Sequence, residues 1–147
     1  MGERRAALDQ GERLMREHGV EAAHRVVEQR ALANPNWPVL PDELRALLRE
    51  RFVKSTPSSL LGMGTAIRVE PDLVAKLART LRTAQVPCLV VCGEADDAWS
   101  PAGQRDMAER LDADFAVLAG AVHSPNTETP EALLTTLLPT WRAWLTS

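Results

Sequence analysis

Two short polar stretches in the C-terminal part of the sequence contain residues that can do acid–base chemistry. Asp96 and Asp97 follow an apolar run at 86–92, and His123 and Glu128 lie in the stretch GAVHSPNTETPE after a second run at 114–120. A carboxylate that accepts a hydrogen bond from one imidazole nitrogen fixes the ring's tautomer and stabilises its protonated form. The other nitrogen is then available to move a proton. An Asp–His pair is therefore the chemistry that these residues suggest.

The elements that must position this pair are two strands with a helix between them. The runs 86–92 and 114–120 are short and rich in Val, Leu and Ala, which indicates buried strands. Ser100 and Pro101 are typical of a helix start, and they predict a crossover helix between the strands. Strands joined in this way are parallel, and the crossover is right-handed. Because both strand-to-helix loops then leave one sheet edge, a carboxylate of Asp96 or Asp97 is expected to contact His123.

The rest of the sequence predicts helices. Apolar residues at three-to-four spacing indicate helices before and after Gly19, whose position suits a left-handed cap, and three more between 41 and 84. A final helix is predicted to begin with Thr129 as cap and Pro130 in its first turn, and Leu and Trp residues form an apolar stripe along it. The expected fold class is α/β, with a helical region at 1–84 and a β-α-β-α unit at 85–147.

Composition excludes several classes of function. The chain has 147 residues, of which 45% are hydrophobic and 25% charged, so it can fold around a core. Its formal net charge of -3 gives no electrostatic support for a nucleic acid or an anionic membrane as partner. The sequence has no apolar run of the roughly 18 to 20 residues that span a bilayer and no signal-like N-terminal segment, so a cytoplasmic location is expected.

The two cysteines and the remaining polar residues predict no metal site and no cofactor. If Cys88 and Cys92 share a strand, they lie about 13 Å apart at ~3.3 Å per residue, which is too far for a disulfide. Both are interpreted as small buried apolar residues.

Two turn motifs in sequence order resemble the C-terminal part of an α/β-hydrolase. They are a Gly-x-x-Asp turn at Gly93 to Asp96 and a Gly-x-x-His turn at Gly120 to His123, followed by Glu128 and Pro130. Residues 80–147 carry this resemblance, and the helical first part is similar only in general character to the lid, or cap, of that family. The resemblance implies a partial α/β-hydrolase fold, with a lid region followed by the last two strands.

The resemblance also implies roles for the candidate residues. The chain would be part of a serine-type hydrolase of an ester or similar acyl substrate, with His123 as general base and an acid that orients it. Counting forward from Gly93 selects Asp96 as that acid, whereas counting back four residues from Pro101 selects Asp97, which stays the alternative. Glu128 is expected to tie its loop to the following helix and not to be catalytic.

The nucleophile of this family is missing from the sequence. No Gly-x-Ser-x-Gly elbow is present, and LLGMGTAI has two glycines with no nucleophile between them. The chain is therefore interpreted as the acid-and-base half of a larger enzyme, which takes a small-molecule substrate only when complemented. Four possibilities stay open: a partner chain supplies the missing strands, the helical half folds over the sheet, the protein self-associates, or the chain is a truncated gene product. The alternative function is a non-catalytic α/β fragment or interaction module. Trp37, Phe52, Met63 and Ile67 are candidates for an apolar acyl pocket or for simple core.

Overall fold

The chain combines many helices with one small parallel sheet. The computed structural model describes the backbone of residues 2–33 and 39–146 and the side chains of residues 9–33 and 39–146. Its elements in chain order are α1 (Gly2–Ala33), α2 (Asp42–Lys54), α3 (Pro57–Val69), α4 (Val74–Ala84), β1 (Leu89–Gly93), α5 (Pro101–Leu111), β2 (Asp114–Leu118), α6 (Pro125–Glu128) and α7 (Pro130–Thr146). The predicted mixed α/β class is thus confirmed at this coarse level. In the described ranges, no helix is both long enough and apolar enough to cross a membrane.

The first compact unit, residues 1–71, is helical. Two helical runs meet within α1 at Gly19, which has φ 82° and ψ 172°. The positive φ agrees with the predicted glycine at this break, because residues with a Cβ rarely adopt it. Helix α1 packs against α2 and α3. Arg68 on α3 pairs with Asp9 at 2.7 Å and with Glu12 at 3.1 Å, which fastens α3 to α1.

The second unit, residues 72–147, contains the sheet. Helix α4 belongs to this unit, although the pattern predicted a division near Gln85. Its apolar face explains the difference, because Ala78 on α4 is buried in one cluster with Val90 on β1 and with Ala108 and Leu111 on α5. The core of this unit is therefore formed by residues of α4, α5 and β1, and α5 packs against both α4 and β1.

Strands β1 and β2 are parallel, as predicted, and pair in register from Leu89 with Asp114 to Gly93 with Leu118. The first strand begins later than expected, at Leu89 and not at Val86. Gln85, the residue directly after α4, adopts the left-handed conformation, and Val86 N–H closes the end of the helix by donating to Leu81 O at 3.0 Å. Since Pro87 has no N–H to donate, pairing starts only beyond it. Cys92 is buried as predicted, whereas Cys88 is only half-buried.

The last helix, α7, begins at Pro130 and continues through Pro139 to Thr146. Thr129 directly precedes the helix as predicted, and its carbonyl oxygen accepts from Leu133 N–H at 3.1 Å. Its hydroxyl, however, is buried without a hydrogen-bond partner among the described residues. Helix α7 contacts β2. Part of its predicted apolar stripe is exposed, and the exposed members follow helical spacing: Leu134, Leu138, Trp141 and Leu145.

Candidate functional site

The candidate site lies where both strands end, because the chain after each strand stays attached to its neighbour. Beyond β1, Glu94 N–H donates to Leu118 O at 3.0 Å and Ala95 N–H donates to Ala121 O at 3.1 Å. These bonds continue the contact between the chain segments past the last paired residues, Gly93 and Leu118. The loop with Asp96 and the loop with His123 are thus held side by side at one sheet edge.

Gly93 allows this close approach. A Cβ at this position would lie 2.0 Å from Val122 O and 2.5 Å from Ala121 O, both backbone atoms. Ala121 and Val122 are fully buried, so the chain immediately before His123 is fixed against the end of β1. The glycine of the Gly-x-x-Asp motif therefore positions the histidine loop as well as the acid loop.

Asp96 and His123 are in contact. Asp96 Oδ1 lies 3.1 Å from His123 Nδ1, and the exposed side-chain fractions are 6% for Asp96 and 43% for His123. An ionised carboxylate can only accept a hydrogen bond, so Nδ1 is the donor in this pair and Nε2 is the nitrogen left for proton transfer. Of the two acids that the motif spacing allowed, the structure brings Asp96 to the imidazole, and Asp97 is exposed.

The Asp96 carboxylate is further held by its own turn. Its Oδ1 accepts from Ala98 N–H at 2.8 Å and from Trp99 N–H at 2.9 Å. Burial by itself raises the pKa of Asp96, but these backbone hydrogen bonds and the hydrogen bond from His123 outweigh it, so the pKa is lowered from its ordinary value of 3.8. The acid is consequently ionised at neutral pH, as an orienting acid must be.

Helix α5 contributes a residue to the site that the sequence did not reveal. Gln104 Nε2 donates to Asp96 Oδ2 at 2.9 Å and to Trp99 O at 2.8 Å. Ser100 caps this helix as predicted, with Oγ accepting from Gly103 N–H at 3.2 Å. The cap fixes where α5 starts relative to the Asp96 turn, and Gln104 follows one turn later.

The histidine loop is held by Glu128 at the end of the short helix α6. The two carboxylate oxygens of Glu128 accept from Val122 N–H at 2.6 Å and from Ser124 N–H at 3.0 Å, on either side of His123. A second carboxylate, that of Glu94 directly after β1, also contacts this loop: its Oε2 accepts from Gly120 N–H at 3.4 Å. The expected role of Glu128 in fixing its loop is therefore visible in its contacts, and α6 itself was not predicted.

The residues proposed for an apolar pocket differ in how far they are buried. Phe52 is half-buried and its ring packs edge-on against His24, with centroids 5.3 Å apart, whereas Met63 and Ile67 are exposed. Trp37 lies outside the described residues. A shallow hollow of about 360 Å³ is lined by Gln85, Cys88 and Trp144, among others, but it lies at the amino end of β1, opposite the Asp96–His123 pair. No group of three or more His, Cys, Asp and Glu side chains among the described residues is placed to hold a metal ion.

The site thus contains an ionised, hydrogen-bonded carboxylate, an oriented imidazole and two loops fixed by backbone contacts. Such an arrangement can take a proton from a group that approaches Nε2 of His123 and can return it. Neither a scan against protein-family models nor a search of curated proteins returns a match for this chain.

Proposed function

We propose that Asp96 and His123 are the orienting acid and the general base of a serine-type hydrolase related to the α/β-hydrolases, acting on an ester or a similar acyl substrate. The observation that carries this proposal is the 3.1 Å contact between Asp96 Oδ1 and His123 Nδ1 at the shared end of two parallel strands. His123 would accept the proton of the nucleophile through Nε2 and donate it to the leaving alcohol as the acyl group is transferred. It would then take a proton from the water that attacks the acyl intermediate and return it to the nucleophile.

The nucleophile and the oxyanion hole are assigned to a second component. The sequence has no Gly-x-Ser-x-Gly elbow, and acyl transfer needs both an activated hydroxyl and preformed N–H donors. We therefore expect the chain alone not to turn over esters. A segment or partner chain that supplies the elbow and pairs with the free edge of the sheet would complete the site.

Complementation tests this assignment. The chain would be co-expressed with, or fused behind, the N-terminal part of an α/β-hydrolase that carries the Ser elbow, and hydrolysis of p-nitrophenyl acetate and butyrate would be measured. We expect turnover only when both parts are present and its loss in His123→Ala. His18→Ala is the matched control, because His18 is an exposed histidine on α1 in the first compact unit. A complex that forms but stays inactive, or whose activity survives His123→Ala, would contradict the proposal.

The two neighbouring aspartates provide a second internal control. Asp96→Asn should lower turnover of the complemented enzyme by up to about 10⁴-fold, the scale known for an orienting acid replaced by its amide. Asp97→Asn, at an exposed position one residue away, should leave turnover nearly unchanged. Equal and small losses in both variants would show that neither acid orients His123.

The alternative function is a non-catalytic interaction module. It is favoured by the four exposed apolar residues on α7, Leu134, Leu138, Trp141 and Leu145, which repeat at helical spacing. In that case Asp96 and His123 would serve only to join two loops. A complemented complex would then bind tightly without any ester hydrolysis, and Asp96→Asn would change its stability and nothing else.

A further inference from the structure

The side chain of Gln104 hydrogen-bonds both ends of the turn that runs from Asp96 to Trp99. Its Nε2 donates to Asp96 Oδ2 at 2.9 Å and to the backbone oxygen of Trp99 at 2.8 Å. Gln104 lies on α5, four residues after the cap at Ser100, and Gln104 N–H donates to Ser100 O at 3.0 Å. The helix backbone therefore fixes the point from which the amide reaches the turn.

The orientation of this amide follows from its partners. Both acceptors are oxygens, one of a carboxylate and one of a peptide, and only the NH₂ end of a glutamine can donate two hydrogen bonds. A flipped amide would place its own oxygen against two other oxygens. Gln104 consequently acts as a double donor, and Glu at this position would have the same shape with no donor when ionised.

The two oxygens of Asp96 have different partners. Oδ1 accepts from Ala98 N–H, Trp99 N–H and His123 Nδ1, whereas the donor to Oδ2 among the described residues is Gln104. Because only 6% of the Asp96 side chain is exposed, water is a poor substitute for the lost donor. The Gln104 bond thus holds Oδ2 while the backbone N–H groups hold Oδ1, and together they fix the rotation of the carboxylate with Oδ1 toward the imidazole.

We propose that Gln104 is a positioning residue of the Asp96–His123 pair. By holding Oδ2 it keeps Oδ1 in line with His123 Nδ1 and maintains the Nδ1–H tautomer of the ring. It does not touch the reacting atoms, so it acts only through Asp96. The effect on tautomer follows from the contacts alone, whereas any effect on turnover rests on the proposed hydrolase function.

The tautomer is measured directly in the full chain. Histidine-specific ¹⁵N labelling and magic-angle-spinning NMR report the ring nitrogens whatever the oligomeric state, and the His123 signal is assigned by its loss in His123→Gln. Gln104→Met removes the donors, and Gln104→Glu keeps the shape. We expect the ratio of Nδ1–H to Nε2–H tautomer in His123 to fall about tenfold in both variants at a pH where the ring is neutral, the scale of a lost hydrogen bond to a charged group. Glu109→Met, at an exposed position on the same helix, should leave the ratio unchanged.

An unchanged ratio in folded Gln104→Met and Gln104→Glu would overturn the proposal. Loss of the fold in both variants would also count against it, because Gln104 would then be structural only. In the complemented hydrolase, we expect both variants to lower kcat about 10- to 100-fold with KM unchanged. If the Gln104 variants shift the tautomer but the unmodified complex does not hydrolyse esters, only the hydrolase function is overturned. If the variants keep both the tautomer ratio and full turnover, only the role of Gln104 is overturned.

Discussion

Replacement of Gly93 by alanine should disturb the fold and the candidate site together. The added Cβ would lie 2.0 Å from Val122 O and 2.7 Å from the carbonyl carbon of Ala121. Close carbon–oxygen contacts in proteins are about 3.3 Å, so the backbone at 121–122 would have to retreat by about 1.3 Å. No side-chain rotation can relieve the clash, because the opposing atoms belong to the backbone of two fully buried residues.

The size of the effect follows from this displacement. Overpacking of a well-packed interior costs about 1–3 kcal/mol, and loss of the Ala95 N–H to Ala121 O bond adds about 1 kcal/mol. The free energy of unfolding should therefore fall by about 2–4 kcal/mol. His123 directly follows Val122, so a shift of this size away from β1 would break its 3.1 Å contact with Asp96. A misplacement of about 1 Å can lower turnover about 10²-fold.

Urea unfolding followed by circular dichroism measures the loss of stability, and the His123 ring ¹⁵N signals report the contact. Two glycines provide controls. Gly11→Ala and Gly62→Ala, where a Cβ would meet nothing within 4 Å, should be neutral or stabilising. A Gly93→Ala variant as stable as the wild type, with an unaltered His123 tautomer, would show that the loop at 121–122 is not fixed by its packing.

Two further predictions concern pH and association. The pKa of Asp96 is lowered in the folded state, so its carboxylate stabilises the fold fully above the ordinary pKa of 3.8, and that stabilisation is lost as the pH falls through the folded-state pKa. Below about pH 4, the urea midpoint should therefore fall more steeply with decreasing pH in the wild type than in Asp96→Asn, and Asp97→Asn should behave like the wild type. The same dependence of the midpoint on pH in all three proteins would mean that ionised Asp96 does not stabilise the fold. The chain alone is expected to self-associate through its exposed apolar residues and free strand edges. The double variant Leu138→Glu and Leu145→Glu should lower the mass measured by light scattering during gel filtration, whereas Thr135→Glu, at an exposed polar position of α7, should not.

The parallel pair and the meeting of acid with imidazole could be predicted because both depend on local patterns. Two apolar runs separated by a capped helix lead to parallel strands, and parallel strands bring their following loops together. The choice between Asp96 and Asp97 could not be made by counting residues. It depends on which carboxylate turns back onto its own backbone, and Asp96 does so by accepting from the N–H groups two and three residues later.

Features that depend on how neighbouring elements meet were not visible in the sequence. Gln104 looks like any polar residue near the start of a helix, and its role arises only from the position of α5 over the Asp96 turn. Thr129 precedes Pro130 as a cap residue would, yet the short helix α6 directly before it uses Thr129 N–H to bond Pro125 O at 2.9 Å, and its hydroxyl stays unpaired. In both cases the adjoining element decided what the side chain does, and the residue's own preference did not reveal it.

The unequal burial of Asp96 and His123 bears on which function the pair serves. An Asp–His contact that only joins two loops gains most when both side chains are buried, because water competes least with the hydrogen bond there. Here the acid is buried and its oxygens accept four hydrogen bonds, whereas 43% of the imidazole side chain is exposed. A general base needs this combination, since its orienting acid must be fixed while its working nitrogen stays open to a nucleophile from another segment.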